Sequence, residues 1–113
     1  MEPIAGDTLR GHLETMALAV LENGEAHGFE IWRRLEDAGG GSLRLKEGSL
    51  YPCLYRLENA GLVKSAWEQG PNDSGPRRRV YRLTRKGSRR LSQGRAEWRH
   101  FVGVVGNILG AVS

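Results

Sequence analysis

The sequence predicts a mainly α fold with one small β-hairpin and a further helix at the C-terminus. Three observations carry this. Apolar residues recur at helical spacing in three successive stretches before residue 60. Two short stretches with strand character flank the loop 69–76, which after Gln69 holds only Gly, Pro, Asn, Asp and Ser. From Leu91 onward, Trp98, Val105 and Val112 repeat at intervals of seven.

The first helix is expected over Thr8–Glu22, where Leu9, Leu13, Met16, Ala17, Val20 and Leu21 share a stripe. Asp7 or Thr8 caps its start and Asn23-Gly24 ends it. Glu25–Gly28 is a short loop. A second helix over Gly28–Ala38 buries Phe29, Ile31, Trp32, Leu35 and Ala38, and Gly39-Gly40-Gly41 terminates it. Leu43 and Leu45 alternate with Arg44 and Lys46, the pattern of a short edge strand.

The stretch Lys46–Leu62 forms the third helix. Leu50, Cys53, Leu54 and Leu57 lie at i, i+3, i+4 and i+7, one apolar stripe. Ser49, Pro52, Arg56 and Asn59 fall opposite, flanked by Tyr51 and Tyr55. Two starts are open. Ser49 as N-cap puts Pro52 in the first turn, whereas a start at Lys46 or Glu47 puts Pro52 deeper and loses a hydrogen bond. Gly61 supplies the left-handed residue that ends the helix.

A hairpin follows, with Leu62–Glu68 as its first strand, 69–76 as the loop and Arg79–Leu83 as the return. Three adjacent guanidiniums, Arg77, Arg78 and Arg79, sit at its tip, an arrangement that favours an anion between them. Thr84 caps the last helix. There Leu91, Trp98, Phe101, Val105, Ile108 and Val112 form a seam that a second copy of the chain can bury. Gly94, Gly103, Gly106 and Gly110 weaken that helix or allow close approach to a partner. An interfacial membrane tail is the competing reading, disfavoured because no Lys or Arg follows Arg99.

Charge divides the chain sharply. Residues 1–76 hold 7 Lys/Arg against 12 Asp/Glu, a net of −5, and residues 77–99 hold 10 against 1, a net of +9, which together give the overall +4. So dense a basic block points to a polyanion, nucleic acid or an anionic membrane surface, over a merely solvated face. The 113 residues allow one domain with an appended element, divided as 1–84 and 85–113. The apolar run Phe101–Val112 is too short to span a bilayer. Residues 1–8 lack a basic start followed by an apolar core, so no signal peptide is visible, and one cysteine cannot form an internal disulfide. The expected location is the cytoplasm. Three scattered histidines, His12 among them, and Cys53 have no metal-ligand spacing. Cys53 lies on the apolar stripe, where a buried inert thiol is favoured over a redox switch. No nucleophile–base pair and no phosphate-cradling glycine loop is present, so neither enzyme nor cofactor is expected.

Helix, helix, exposed polar helix and two-stranded wing make a winged helix-turn-helix. In order, His27-Gly28-Phe29-Glu30-Ile31, Glu47-Gly48-Ser49-Leu50-Tyr51-Pro52, Leu57-Glu58-Asn59-Ala60-Gly61-Leu62-Val63, Trp67-Glu68, Pro76-Arg77-Arg78-Arg79-Val80-Tyr81 and Leu83-Thr84-Arg85-Lys86-Gly87 cover about Gly11 to Leu91. This ordered set resembles the PadR-like transcriptional regulators, in their small form with a single C-terminal dimerisation helix. The resemblance implies a homodimeric repressor that binds double-stranded DNA, and the two-fold symmetry of such a dimer implies an inverted-repeat operator. Its recognition-helix motif falls on Ser49, Tyr51 and Pro52, and its wing tip on Arg77 and Arg78. Lys46, Tyr55, Arg56 and Arg79 join them from the physical reading, with Arg56 reaching a base edge or phosphate. Tyr55 replaces the His or Lys often seen in the family, and Phe29 the Tyr. The resemblance also implies release by a small aromatic or cationic effector at the dimer interface, where Trp98 is the candidate contact. The alternative is a winged helix that docks proteins without touching DNA, which the arginine block disfavours.

Overall fold

The computed structural model describes residues 12–68 and 77–110. Its elements run α1 (Leu13–Leu21), β1 (Ala26–His27), α2 (Gly28–Ala38), α3 (Glu47–Asn59), β2 (Val63–Glu68), β3 (Arg78–Leu83) and α4 (Arg85–Leu109). The expected cap at Asp7 or Thr8, the hairpin loop at 69–76 and Val112 lie outside the described residues.

One core holds the elements together. Leu13, Ala17, Leu18 and Leu21 of α1 meet Ile31 and Leu35 of α2, the Leu50–Cys53–Leu54–Leu57 stripe of α3, Leu62, Val63 and Tyr81 of the hairpin, and Leu91 of α4. The α3 stripe is as the periodicity predicts. On α2 the expectation holds for Ile31 and Leu35 and fails for Phe29 and Ala38, which are exposed. Phe29 stacks on the half-buried Trp32 at 5.7 Å instead of entering the core.

The sheet has three antiparallel strands in the order β1-β3-β2, one more than the expected hairpin. Ala26 and His27 sit opposite Tyr81 and Val80, while β2 pairs with β3 from Val63↔Leu83 to Glu68↔Arg78. The third strand therefore comes from the segment expected to be loop. The strand expected at 43–46 does not form. Leu43 and Leu45 are buried, but side chains satisfy the backbone there: the Leu45 N–H donates to Glu36 Oε2 (3.3 Å), and the Leu45 carbonyl accepts from Trp32 Nε1 (3.2 Å).

Of the two starts open for α3, the structure takes the earlier, with Lys46 as N-cap and Pro52 inside the helix. Ser49 is thus a third-position residue rather than the cap. At the other end, Gly61 adopts φ +76°. Its N–H reaches the Glu58 carbonyl at 3.0 Å, and the Leu62 N–H reaches that of Leu57 at 2.9 Å. This Schellman closure turns the chain straight from α3 into β2.

Thr84 caps α4 as expected, its Oγ1 accepting the Gly87 N–H at 2.9 Å. Leu91 was expected on the intermolecular seam. It is 1% exposed and belongs to its own chain's core. The physical reason is that the first half of α4 lies on α1, where a Cβ on Gly94 would come within 2.7 Å of Thr15 Cγ2. Trp98, Phe101, Val105 and Ile108, the other predicted seam residues within the described chain, lie further along α4, past Gly94.

Candidate nucleic-acid interface

Burial of its apolar stripe fixes which side of α3 meets solvent. Lys46, Ser49, Tyr51, Pro52, Tyr55 and Arg56 are all exposed, so the structure brings the six predicted helix residues onto one accessible surface. Pro52 has no N–H to offer the Gly48 carbonyl, and this gap in the ladder opens on the solvent side.

Tyr51 is fixed from outside its helix. Its ring crosses Gly28 so closely that a Cβ there would lie 2.7 Å from Tyr51 Cε1. The segments His27–Ile31 and Glu47–Pro52, far apart in the chain, are one packing unit. Neighbouring His27 was assigned no role from sequence, yet its Nδ1 accepts the Glu30 N–H at 3.3 Å and caps α2. The signal was present: His27 and Glu30 have capping-box spacing, obscured because His is not among the usual caps.

Arg56 does not stand free. Its Nε donates to Glu14 Oε1 on α1 at 3.1 Å, with both side chains about half exposed. The three wing arginines do not share one anion-ready cluster either. Arg77 is exposed where β3 begins. Arg78 Nη1 lies 3.2 Å from His27 Nε2. Arg79 turns toward α3, its Nε donating to Ser65 Oγ (2.7 Å) and its Nη2 to Glu58 Oε1 (3.2 Å), with its guanidinium over the Trp67 ring at 5.5 Å. Ser65 also donates to Glu58. That hydrogen bond holds the Glu58 carboxyl below the ordinary carboxylate range, and the Arg79 charge acts the same way against the opposing effect of burial. Glu58, named from sequence only within a motif and given no role there, is the hub of this network.

Along α4, Trp98 is 50% exposed, Phe101 54% and Ile108 77%, while Val105 is half-buried. Val102, Val104 and Leu109 are exposed as well, widening the apolar surface beyond the predicted heptad. Trp98 stacks on Phe101 at 5.8 Å and meets the His12 ring edge-on at 5.3 Å. Cys53 is fully buried, and burial pushes its thiol up to about 11, which leaves it protonated and unreactive. Among the described residues no group of His, Cys, Asp and Glu is placed to hold a metal ion, and no helix is long and apolar enough to cross a membrane.

The comparisons agree with this architecture. The model of the transcriptional regulator PadR-like family matches residues 17–93. A transcriptional regulator of Mycobacterium tuberculosis is 42% identical over 71 residues, which are 63% of this chain and 61% of that protein. The structure of a transcriptional regulator from Clostridium thermocellum superposes with a TM-score of 0.82 at 30% identity, covering 92% of this chain and 96% of that one. A PadR-like transcriptional regulator from Bacillus cereus gives 0.79 at 28% identity, covering 95% and 100%. With most of α1, all of α2 and α3, the strands of the wing and the start of α4 inside the matched span, the chain belongs to the PadR-like family of transcriptional regulators.

Proposed function

We propose that the chain acts as a homodimer that binds double-stranded DNA sequence-specifically and represses transcription by occluding polymerase. The observation that carries this reading is the exposed face of α3, with Lys46, Ser49, Tyr51, Pro52 and Tyr55 presented together beside a wing bearing Arg77 and Arg78. Residues 1–84 form the DNA-binding unit and residues 85–113, with α4, the dimerising segment. Each protomer lays α3 in a major groove, where the hydroxyls of Ser49, Tyr51 and Tyr55 and the Lys46 ammonium meet base edges and phosphates. Arg56 reaches the duplex by exchanging Glu14 for a phosphate or guanine edge. The cytoplasm is the compartment this function requires.

The test is selection from a random duplex library at moderate salt. An enriched inverted repeat with half-sites about one helical turn apart is expected. Weak binding to every duplex with nothing enriched would favour protein docking over operator recognition. Arg77→Ala and Arg78→Ala should each lower the slope of log K against log salt by about 0.9, since each removes one phosphate contact. An unchanged slope in both removes the wing from the interface.

Effector release is the finer part of the proposal. Trp98, half open and stacked on Phe101, offers an aromatic face to a planar aromatic or cationic compound. Such compounds are expected to quench tryptophan fluorescence and release DNA. Quenching that persists undiminished in Trp98→Phe would exclude this residue.

A further inference from the structure

We propose that Arg79 is a positioning residue, which sets the angle of the wing against the recognition helix through Glu58 and Ser65, and is not a phosphate contact. The inference rests on the DNA-binding reading above and changes the role of one residue within it.

Three elements converge on this side chain. Glu58 lies in the last turn of α3, Ser65 on β2 and Arg79 on β3. Arg79 Nε is spent on Ser65 Oγ at 2.7 Å, and Nη2 is shared between Glu58 Oε1 at 3.2 Å and Oε2 at 3.3 Å. One face of the guanidinium is covered by Trp67. The fork is thus occupied in two directions and stacked in a third, the use for which arginine is better suited than lysine. Only Ala60–Leu62 joins α3 to β2, so this network is the side-chain tie that stops the hairpin pivoting about that short connection. Electrostatics point the same way. A phosphate brought to Arg79 would also approach the Glu58 carboxylate, and a cation already neutralised by an anion adds little to counterion release. Arg77, by contrast, lies at the exposed start of the strand, and Arg78 faces a histidine rather than a carboxylate.

The two roles predict opposite signs for one substitution. If Arg79 grips phosphate, Glu58→Gln removes a repulsive anion and frees the guanidinium, so operator affinity rises. If Arg79 positions the wing, Glu58→Gln loosens it and affinity falls, by about threefold to fivefold for a pair this exposed. The experiment measures the full chain on its selected operator across a salt series, for Glu58→Gln, Arg79→Gln, Arg79→Lys and the Glu58→Gln/Arg79→Gln pair. The expected results are equal losses in the two Gln variants, a double variant no worse than either, and a salt slope in the double variant equal to that of Glu58→Gln alone. Arg79→Lys should lose as much as Arg79→Gln, because it keeps the charge and loses the fork. An operator affinity equal to or above the parent's in Glu58→Gln overturns the proposal. So does a slope lower by about 0.9 when Arg79→Gln is added to Glu58→Gln. Should the parent chain bind no duplex at all, the DNA-binding reading fails by itself. The lock is then read from hydrogen exchange in the free protein: faster exchange across β2 and β3 in Glu58→Gln supports it, and unchanged exchange overturns it.

Discussion

Gly87→Ala is expected to lower the melting temperature by roughly 10–20 °C, corresponding to a cost of about 3 kcal/mol. A Cβ at Gly87 would overlap the Leu62 carbonyl oxygen and lie 2.9 Å from both the Leu62 carbonyl carbon and Leu83 Cδ1. The obstacle is backbone, and it is pinned from both sides. The Leu62 N–H closes the end of α3 on the Leu57 carbonyl at 2.9 Å, and the Leu62 carbonyl accepts the Thr84 N–H at 3.1 Å. Relieving the overlap therefore means shifting α4 away from the junction of α3 and β2, with loss of the Thr84 cap on Gly87. Gly103→Ala provides the contrast within the same helix. Nothing lies within 4 Å of a Cβ there, so the substitution should gain stability, by up to about 1 kcal/mol from helix propensity alone. Thermal unfolding followed by circular dichroism at one fixed protein concentration checks both. A Gly87→Ala protein that melts with the parent would mean that the α3–β2–α4 junction is far more compliant than its hydrogen bonding implies.

That contrast also marks how much the sequence discloses. Composition makes the α4 glycines look alike, each a helix-weakening residue. Their roles separate only when the partner is known: Leu62 for Gly87, Thr15 for Gly94 and open space for Gly103. Local rules suffice where the cause is local. The stripe Leu50–Cys53–Leu54–Leu57, the left-handed Gly61 and the Thr84 cap each depend on a few neighbouring residues, and each is legible in the chain. The errors fall where distant segments compete. Ala26-His27 becomes a strand because β3 has a free edge, and 43–46 does not because Trp32 and Glu36 satisfy Leu45 first. The candidate interface divides in the same way. Periodicity places Ser49, Tyr51, Pro52 and Tyr55 on the outer face of α3. It cannot show that Arg56 is held by Glu14 or Arg79 by Glu58, since those partners lie 42 and 21 residues away. A run of three arginines reads as one basic cluster, whereas in the sheet Arg78 goes to His27 of β1 and Arg79 to Glu58 of α3.

If the chain acts as the proposed dimer, the double substitution Phe101→Glu/Ile108→Glu is expected to convert it into a folded monomer and to weaken operator binding by about a hundredfold or more. Both side chains are exposed within the chain, at 54% and 77%, so their loss removes nothing from its core. The same helix exposes Trp98, Val102, Val104 and Leu109, apolar surface that the proposed dimer would cover. A two-fold interface counts each residue twice. Burying Phe101 and Ile108 from both protomers is worth roughly 2 kcal/mol per side chain, about 8 kcal/mol in all before the costs of association. Four buried carboxylates would replace that gain with repulsion and desolvation. Loss of the dimer then acts on DNA through geometry alone. Two α3 helices held together engage the second half-site at an effective concentration near the millimolar range, an advantage of about 10²–10⁴ that a monomer forfeits without losing a single DNA contact. Light scattering on a sizing column reads the first effect and operator titration the second. A variant that stays dimeric would move the interface off this seam. A variant that is monomeric yet binds the full operator as tightly as the parent would mean that one recognition helix and one wing suffice.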